Sequence, residues 1–242
     1  MTLPVAGSTT TARQSLAGQV WLEVVGAVGL YGLVSLLFLV VPGLLLHALG
    51  VSLEVRGRTA VALGGTLLGE LVVLRLLVAW LHRHQRSLAD LGWGRPTTRP
   101  ALLLGLVFGL AYAAYTLGDP AIDAHAAELS PLKVWGAGVG LFGGVVEEIV
   151  FRGFVLAELD RIRTPVWLQV LVSGVAFGLL HAGFSPVGMA STFVMGLVLA
   201  VVYRLGRRSL TPVALSHAVI NLLIEPWLLL FIISVVSTGA SR

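Results

Sequence analysis

Residues 24–46 form a run of 23 without a single Asp, Glu, Lys or Arg. The hydrocarbon core of a bilayer is about 30 Å thick, and a helix rising about 1.5 Å per residue crosses it in about 20 residues. This run meets that length, and apolar stretches of similar character recur to the end of the chain. A spanning segment has no water to bond its backbone, so it closes its own hydrogen bonds as a helix. The 242-residue chain is 57% hydrophobic and 12% charged, where soluble domains carry about 25% charged residues. The fold class is therefore all-α, a polytopic transmembrane helical bundle, and the lipid bilayer is its first partner. There is no cysteine. Disulfides, thiolate metal sites and a cysteine nucleophile are excluded. The net charge of +4 is modest, and no basic stripe interleaved with aromatics points to nucleic acid.

Seven spans are expected, at residues 20–49, 59–80, 101–117, 132–159, 166–184, 187–203 and 210–237. Residues 1–19 are polar, rich in small residues and without an apolar core. They read as a disordered tail and not as a cleaved signal. The loop after the third span is polar, with Asp119, Pro120, Asp123, His125 and Glu128. A tight Ser185-Pro186 turn joins spans five and six. The last stretch contains Pro226 without turn chemistry around it, so one kinked span is expected, with two short ones, and eight spans in all, as the alternative. Counting Lys and Arg on alternating sides gives ten on the side of the N-terminus and four on the other. The bias places the N-terminus in the cytoplasm. The chain then divides into the cytoplasmic tail, residues 1–19, the first three spans with their loops, residues 20–130, and a C-terminal core, residues 131–238.

Charges inside a span cost about 2.5–3.5 kcal/mol each on insertion scales and ask for a reason. Span four holds three within six residues, Glu147, Glu148 and Arg152. Glu148 and Arg152 stand four apart, on one helix face, with the acid N-terminal to the base. Glu147 points about 100° away from them, and the difference in surroundings can separate the behaviour of the two acids. Span five ends on His181, one turn after Phe177. His217, Asn221 and Glu225 recur at four-residue spacing on the last span. Glu70 and Arg75, five apart in span two, read as structural. Gly136, Gly140 and Gly144, and separately Gly174, Gly178 and Ala182, form small-residue rows that let helices approach. Three spans thus supply groups able to activate a water and to stabilise a developing oxyanion.

Glu147-Glu148-x-x-x-Arg152, Phe177-x-x-x-His181 and His217-x-x-x-Asn221 together resemble the three motifs of the CAAX-protease and bacteriocin-processing (CPBP, or Abi) family of membrane endopeptidases, which includes the type II CAAX prenyl proteases. Gly153 and the loop containing Gly92 are also similar. The resemblance implies a membrane-embedded protease whose catalytic core is residues 131–238. It implies that Glu147 and His181 activate the water, that His217 and Asn221 stabilise the oxyanion, and that Glu148 and Arg152 organise the site. Phe177 and Glu225 are secondary candidates. No cofactor is required by this reading. Zn2+ is the alternative, held by Glu147, His181 and His217 as a two-His, one-carboxylate set; there is no His-Glu-x-x-His.

The expected activity is hydrolysis of a peptide bond in a membrane protein or peptide substrate, lipidated or CAAX-type. Two other classes fit parts of the pattern. A non-catalytic immunity or scaffold protein of the same family would use the charges structurally. A proton- or ion-coupled transporter would use them as a relay, but the chain lacks the internal repeat and paired broken helices of that class. The composition, rich in Leu, Ala, Gly and Arg, points to a bacterial plasma membrane.

Overall fold

A computed structural model describes residues 7–118, 129–181, 186–227, 229, 230 and 233. The polar loop expected at Asp119, Pro120, Asp123, His125 and Glu128 lies outside them, as do Ser185 and most of the stretch after Leu230. The described elements are helical throughout, with no strand among them. They are α1 (Gly7–Ala48), α2 (Val55–Arg83), a 3-10 turn (Leu88–Leu91), α3 (Arg99–Leu117), α4 (Pro131–Glu148), a π-helical segment (Ile149–Phe154), α5 (Val155–Arg161), α6 (Val166–Leu180), α7 (Pro186–Leu205) and α8 (Thr211–Ile224). Each of the seven expected stretches contains helix. Among the described residues, four helices are long and apolar enough to cross a membrane: α1 from Gln14, α2, α3 and α7. Many of their apolar side chains face outward, such as Leu33 and Val25, each 64% exposed. In a bilayer those side chains meet lipid, so their exposure carries no penalty.

Two segments differ from the sequence expectation. Helix already covers Gly7 to Gln19, the stretch expected as a tail. At the other end, α8 stops at Ile224 and Glu225 takes an extended backbone, with φ −81° and ψ 144°. The chain breaks there where a kinked continuous helix was expected. Irregular backbone at membrane depth is tolerated where the protein bonds its free carbonyls. Lys133 does this: its Nζ donates to the carbonyls of Leu223 at 2.8 Å and Glu225 at 2.7 Å.

The bundle is centred on the continuous helical rod formed by α4, the π segment and α5. α2 and α8 pack on α4, α1 packs on α2 and α5, α3 packs on α8, and α6 and α7 pack on each other. The π segment is buried at every residue. At Gly153 the 3-10 turn comes close, since a Cβ there would lie 3.1 Å from Leu91 Cβ. Tyr203 holds that turn by donating to Leu91 O at 2.9 Å. Gly92 ends it at φ 105°, where an added Cβ would strike Arg208 O at 2.1 Å, so a side chain is excluded on both counts.

One end of the bundle carries a charge network. Glu158 pairs with Arg86 and Arg161. Arg161 also reaches Glu23 at 3.0 Å, and Asp160 accepts from Arg204 at 3.0 Å and Arg208 at 2.7 Å. These arginines come from three loops that the charge count places on one side. Glu158 and Glu23 hold the Arg161 guanidinium above its usual range against the opposing effect of partial burial.

Candidate active site

The rod places Glu147 well inside the bundle. It lies 16 residues after Pro131, about 24 Å along the axis at about 1.5 Å per residue. Glu148 is fully buried and Arg152 is fully buried, and Arg152 donates to Glu148 Oε1 at 2.9 Å. The same oxygen lies 2.9 Å from His217 Nδ1. Arg152 also sits over the Phe177 ring, its guanidinium carbon 4.4 Å from the centroid. Phe177 is the spacer of the site. It packs edge-on to Phe151 and His217 and lies 4.7 Å, centroid to centroid, from the ring of His181.

The row of glycines in α4 explains how α8 comes so close. A Cβ on Gly144 would lie 3.1 Å from both His217 Cγ and Asn221 Nδ2. One turn earlier, a Cβ on Gly140 would lie 3.1 Å from Glu225 Cγ, and Gly136 faces Pro226. The α8 polar row therefore lies along the α4 glycine row. The α6 row serves another neighbour: Gly174 and Gly178 pack on Leu197 and Phe193 of α7.

Ring nitrogens are constrained by what they face. His181 Nδ1 lies 2.8 Å from Phe177 O. A carbonyl only accepts, so Nδ1 carries the hydrogen and the neutral ring presents Nε2 as its basic atom. His217 Nδ1 donates to Glu148 in the same way. Its Nε2 lies 3.5 Å from Glu147 Oε2. Asn221 donates from Nδ2 to Gly140 O at 2.8 Å, which leaves its second amide hydrogen. His181 is within electrostatic range of Glu147, His217 and Arg152. Glu147, Glu148, Arg152, Phe177, His181, His217 and Asn221 are thus one neighbourhood, with Glu225 at its edge.

Two further residues belong to it. Tyr31 of α1 lies with its hydroxyl 2.5 Å from Glu70 Oε1 and 3.2 Å from Glu147 Oε1. Glu70 is buried, 4% exposed. The structural reading of Glu70 from spacing is corrected here: it joins the Glu147 neighbourhood. Its relation to Arg75 is no guide, because Arg75 is exposed. The signal in the sequence is an acid in an apolar span, and its partner is a tyrosine within the uncharged run 24–46.

The alternative of a zinc site finds no support in the arrangement. Among the described residues no three His, Asp or Glu side chains are grouped to hold a metal ion. The set Glu147, His181 and His217 does not fit such a group.

A helical integral membrane protein with an acid–base cluster buried within the bundle is what fold and geometry define. Residues 130–223 match the family model described as type II CAAX prenyl endopeptidase Rce1-like. That segment, under half of the chain, contains all three motifs, and it is to this family of membrane proteases that it is similar. Tyr31, Glu70 and Glu225 lie outside it. No curated protein matches the chain. No solved structure matches it.

Proposed function

We propose that the protein is an intramembrane endopeptidase that hydrolyses a peptide bond in a membrane-associated, lipidated or CAAX-type substrate at a bacterial plasma membrane. The observation that carries this reading is the position of Glu147, between Tyr31 and His217 Nε2 in the segment that matches the protease family. Glu147 takes a proton from a water, which the basic Nε2 of His181 orients by accepting its other hydrogen, as the water oxygen bonds to the scissile carbonyl carbon. The carbonyl π pair moves onto oxygen. The second amide hydrogen of Asn221 stabilises that charge, and so does His217 whenever its Nε2 carries a hydrogen. Collapse breaks the C–N bond, and the proton held by the base passes to the leaving amine. Glu148 and Arg152 touch no reacting atom; they hold His217 and the helices in place.

A cavity of about 380 Å³ between α1 and α2 supports a lipid-bearing substrate. Its wall is mostly apolar, with Leu22, Gly26, Leu30, Leu77 and Trp80, Tyr31 on the site side, and Glu23 and Arg83 as its charged members. Such apolar walls suit a hydrocarbon chain. The test uses the full chain in lipid vesicles with two peptides ending in Cys-aliphatic-aliphatic-Xaa, one farnesylated and one bare. Release of the C-terminal tripeptide from the farnesylated peptide, lost in Glu147→Ala at unchanged expression and helix content, supports the reading. No release by the unsubstituted protein, or full release by Glu147→Ala, overturns it.

A further inference from the structure

Three oxygens lie in a line across three helices: Glu70 Oε1, Tyr31 Oη and Glu147 Oε1, with steps of 2.5 and 3.2 Å. Two hydrogen bonds need two hydrogens. The tyrosine has one, and it cannot serve both steps at once. If both acids were ionised, one step would set two acceptors against each other beside two like charges in a buried site. One additional proton satisfies both steps. Glu70 is also not a packing accident of a long side chain. Its other oxygen, Oε2, is buried without a hydrogen-bond partner among the described residues. Gly143 of α4 faces its Cγ, with an added Cβ at 3.7 Å. Gly65 of α2 is what lets α1 approach, since a Cβ there would meet Phe38 O at 1.9 Å. The crossing of α1, α2 and α4 therefore delivers Tyr31 and Glu70 to Glu147.

We propose that Tyr31 and Glu70 are positioning residues for Glu147, forming a three-oxygen relay that holds one shared proton and lets Glu147 alternate between carboxylate and acid. This rests on the endopeptidase reading for its catalytic meaning, though the shared proton itself does not. In one arrangement Glu147 is the acid: it donates to Tyr31, which donates to Glu70. In the other, Tyr31 donates to Glu147 and Glu70 donates to Tyr31. Both hydrogens move along the line, the proton count is unchanged, and Glu147 emerges as the base. The other charged or titratable groups around Glu147 are Glu148 and Arg152 on its own rod, His181 at the end of α6, and His217 and Glu225 from α8. None of them lies between Glu147 and Glu70, whose link runs through Tyr31.

The test reads infrared absorption and cleavage on the full chain in lipid vesicles. At neutral pH the unsubstituted protein should show the C=O stretch of a protonated carboxylic acid, and that band should fall in both Glu70→Gln and Glu147→Gln. A glutamine at 70 can still donate to Tyr31 but cannot take up the proton, so Glu70→Gln should lower kcat, by less than Tyr31→Phe does, with KM unchanged. The acidic limb of its pH–rate profile should move to lower pH by about one unit, because the shared proton no longer competes. Tyr31→Phe should cut kcat about tenfold or more, again without moving KM. An infrared band that neither glutamine variant changes overturns the relay. So does a Glu70→Gln profile that superposes on the unsubstituted one, with cleavage by the unsubstituted protein intact. Absence of cleavage in the unsubstituted protein removes the endopeptidase reading instead, and the infrared comparison still decides the relay.

Discussion

His217 Nδ1 and Arg152 Nη1 meet on one oxygen, Glu148 Oε1, each at 2.9 Å. The ion pair that makes a buried arginine tolerable is thus also the clamp that fixes the ring of His217. Stability and site geometry are tied through one carboxylate, and the two can be separated by substitution.

Removing one partner leaves the other charge buried and unpaired, at a cost of about 3–5 kcal/mol. Glu148→Ala should therefore lower stability by about that amount, measured by unfolding in detergent micelles. The double substitution Glu148→Leu, Arg152→Met removes both charges and should recover most of the loss. It should still be inactive toward the farnesylated peptide, because His217 Nδ1 has lost its acceptor. Recovery of activity together with stability would show that the pair has no part in placing His217.

Gly144→Ala places a Cβ 3.1 Å from His217 Cγ and from Asn221 Nδ2. Contacts this tight push the neighbour by a few tenths of an ångström. The shift falls on the two groups assigned to the oxyanion, so kcat should drop about tenfold with little change in unfolding. Gly138→Ala is the control on the same helix, since nothing lies within 4 Å of its Cβ. Equal loss of kcat in both variants would mean that helix α4, and not the contact, is responsible.

Much of this is legible in the sequence. Uncharged length gave the helices, and the arginine count grouped the loops that now share the Glu158–Asp160 network. Four-residue spacing is enough to pair Glu148 with Arg152, because helix geometry is local. Tyr31 was not legible. Its contact with Glu147 spans 116 positions and depends on how three helices cross. The place of Glu70 is hidden for the same reason, since its partner lies on another helix and not at a helical spacing. The π segment is equally hidden: its six residues are all buried, and no spacing in the sequence marks the change of hydrogen-bond register. At Glu225 the sequence offered no turn residues, and the break is stabilised instead by a lysine 92 positions away.

Outside the membrane, the turn before α3 carries a pH prediction. Asp90 Oδ2 accepts from the Ser87 amide at 2.7 Å and from the Ser87 hydroxyl at 3.0 Å. These bonds favour the ionised form and hold the Asp90 carboxyl below its usual range. A depressed carboxyl stabilises the fold above its unfolded value, and that contribution is lost as pH falls through the folded one. Unfolding of the protein should thus become easier as pH drops below about 4, and Asp90→Asn should flatten the dependence in that window. An unchanged slope in Asp90→Asn would assign the acid sensitivity elsewhere.

Lys133 offers the sharpest test of the break at Glu225. Its ammonium donates to two carbonyls that α8 leaves open, and it lies 5.8 Å from the centroid of the Trp227 ring. Lys133→Met keeps most of the apolar stem and removes every donor. Each carbonyl left without a partner costs about 1–3 kcal/mol when buried, and the low end applies because Lys133 is partly exposed. The expected loss is about 1–2 kcal/mol, read as easier unfolding in micelles. The break also sets where Glu225 lies against Gly140, one turn from Asn221. Lys133→Met should therefore raise amide hydrogen exchange at Asn221 to Glu225 and lower kcat less than Gly144→Ala does. Lys133→Arg retains donors and should behave close to the unsubstituted protein. If Lys133→Met left exchange at the end of α8 unchanged, the carbonyls there would have to be satisfied by something other than this lysine.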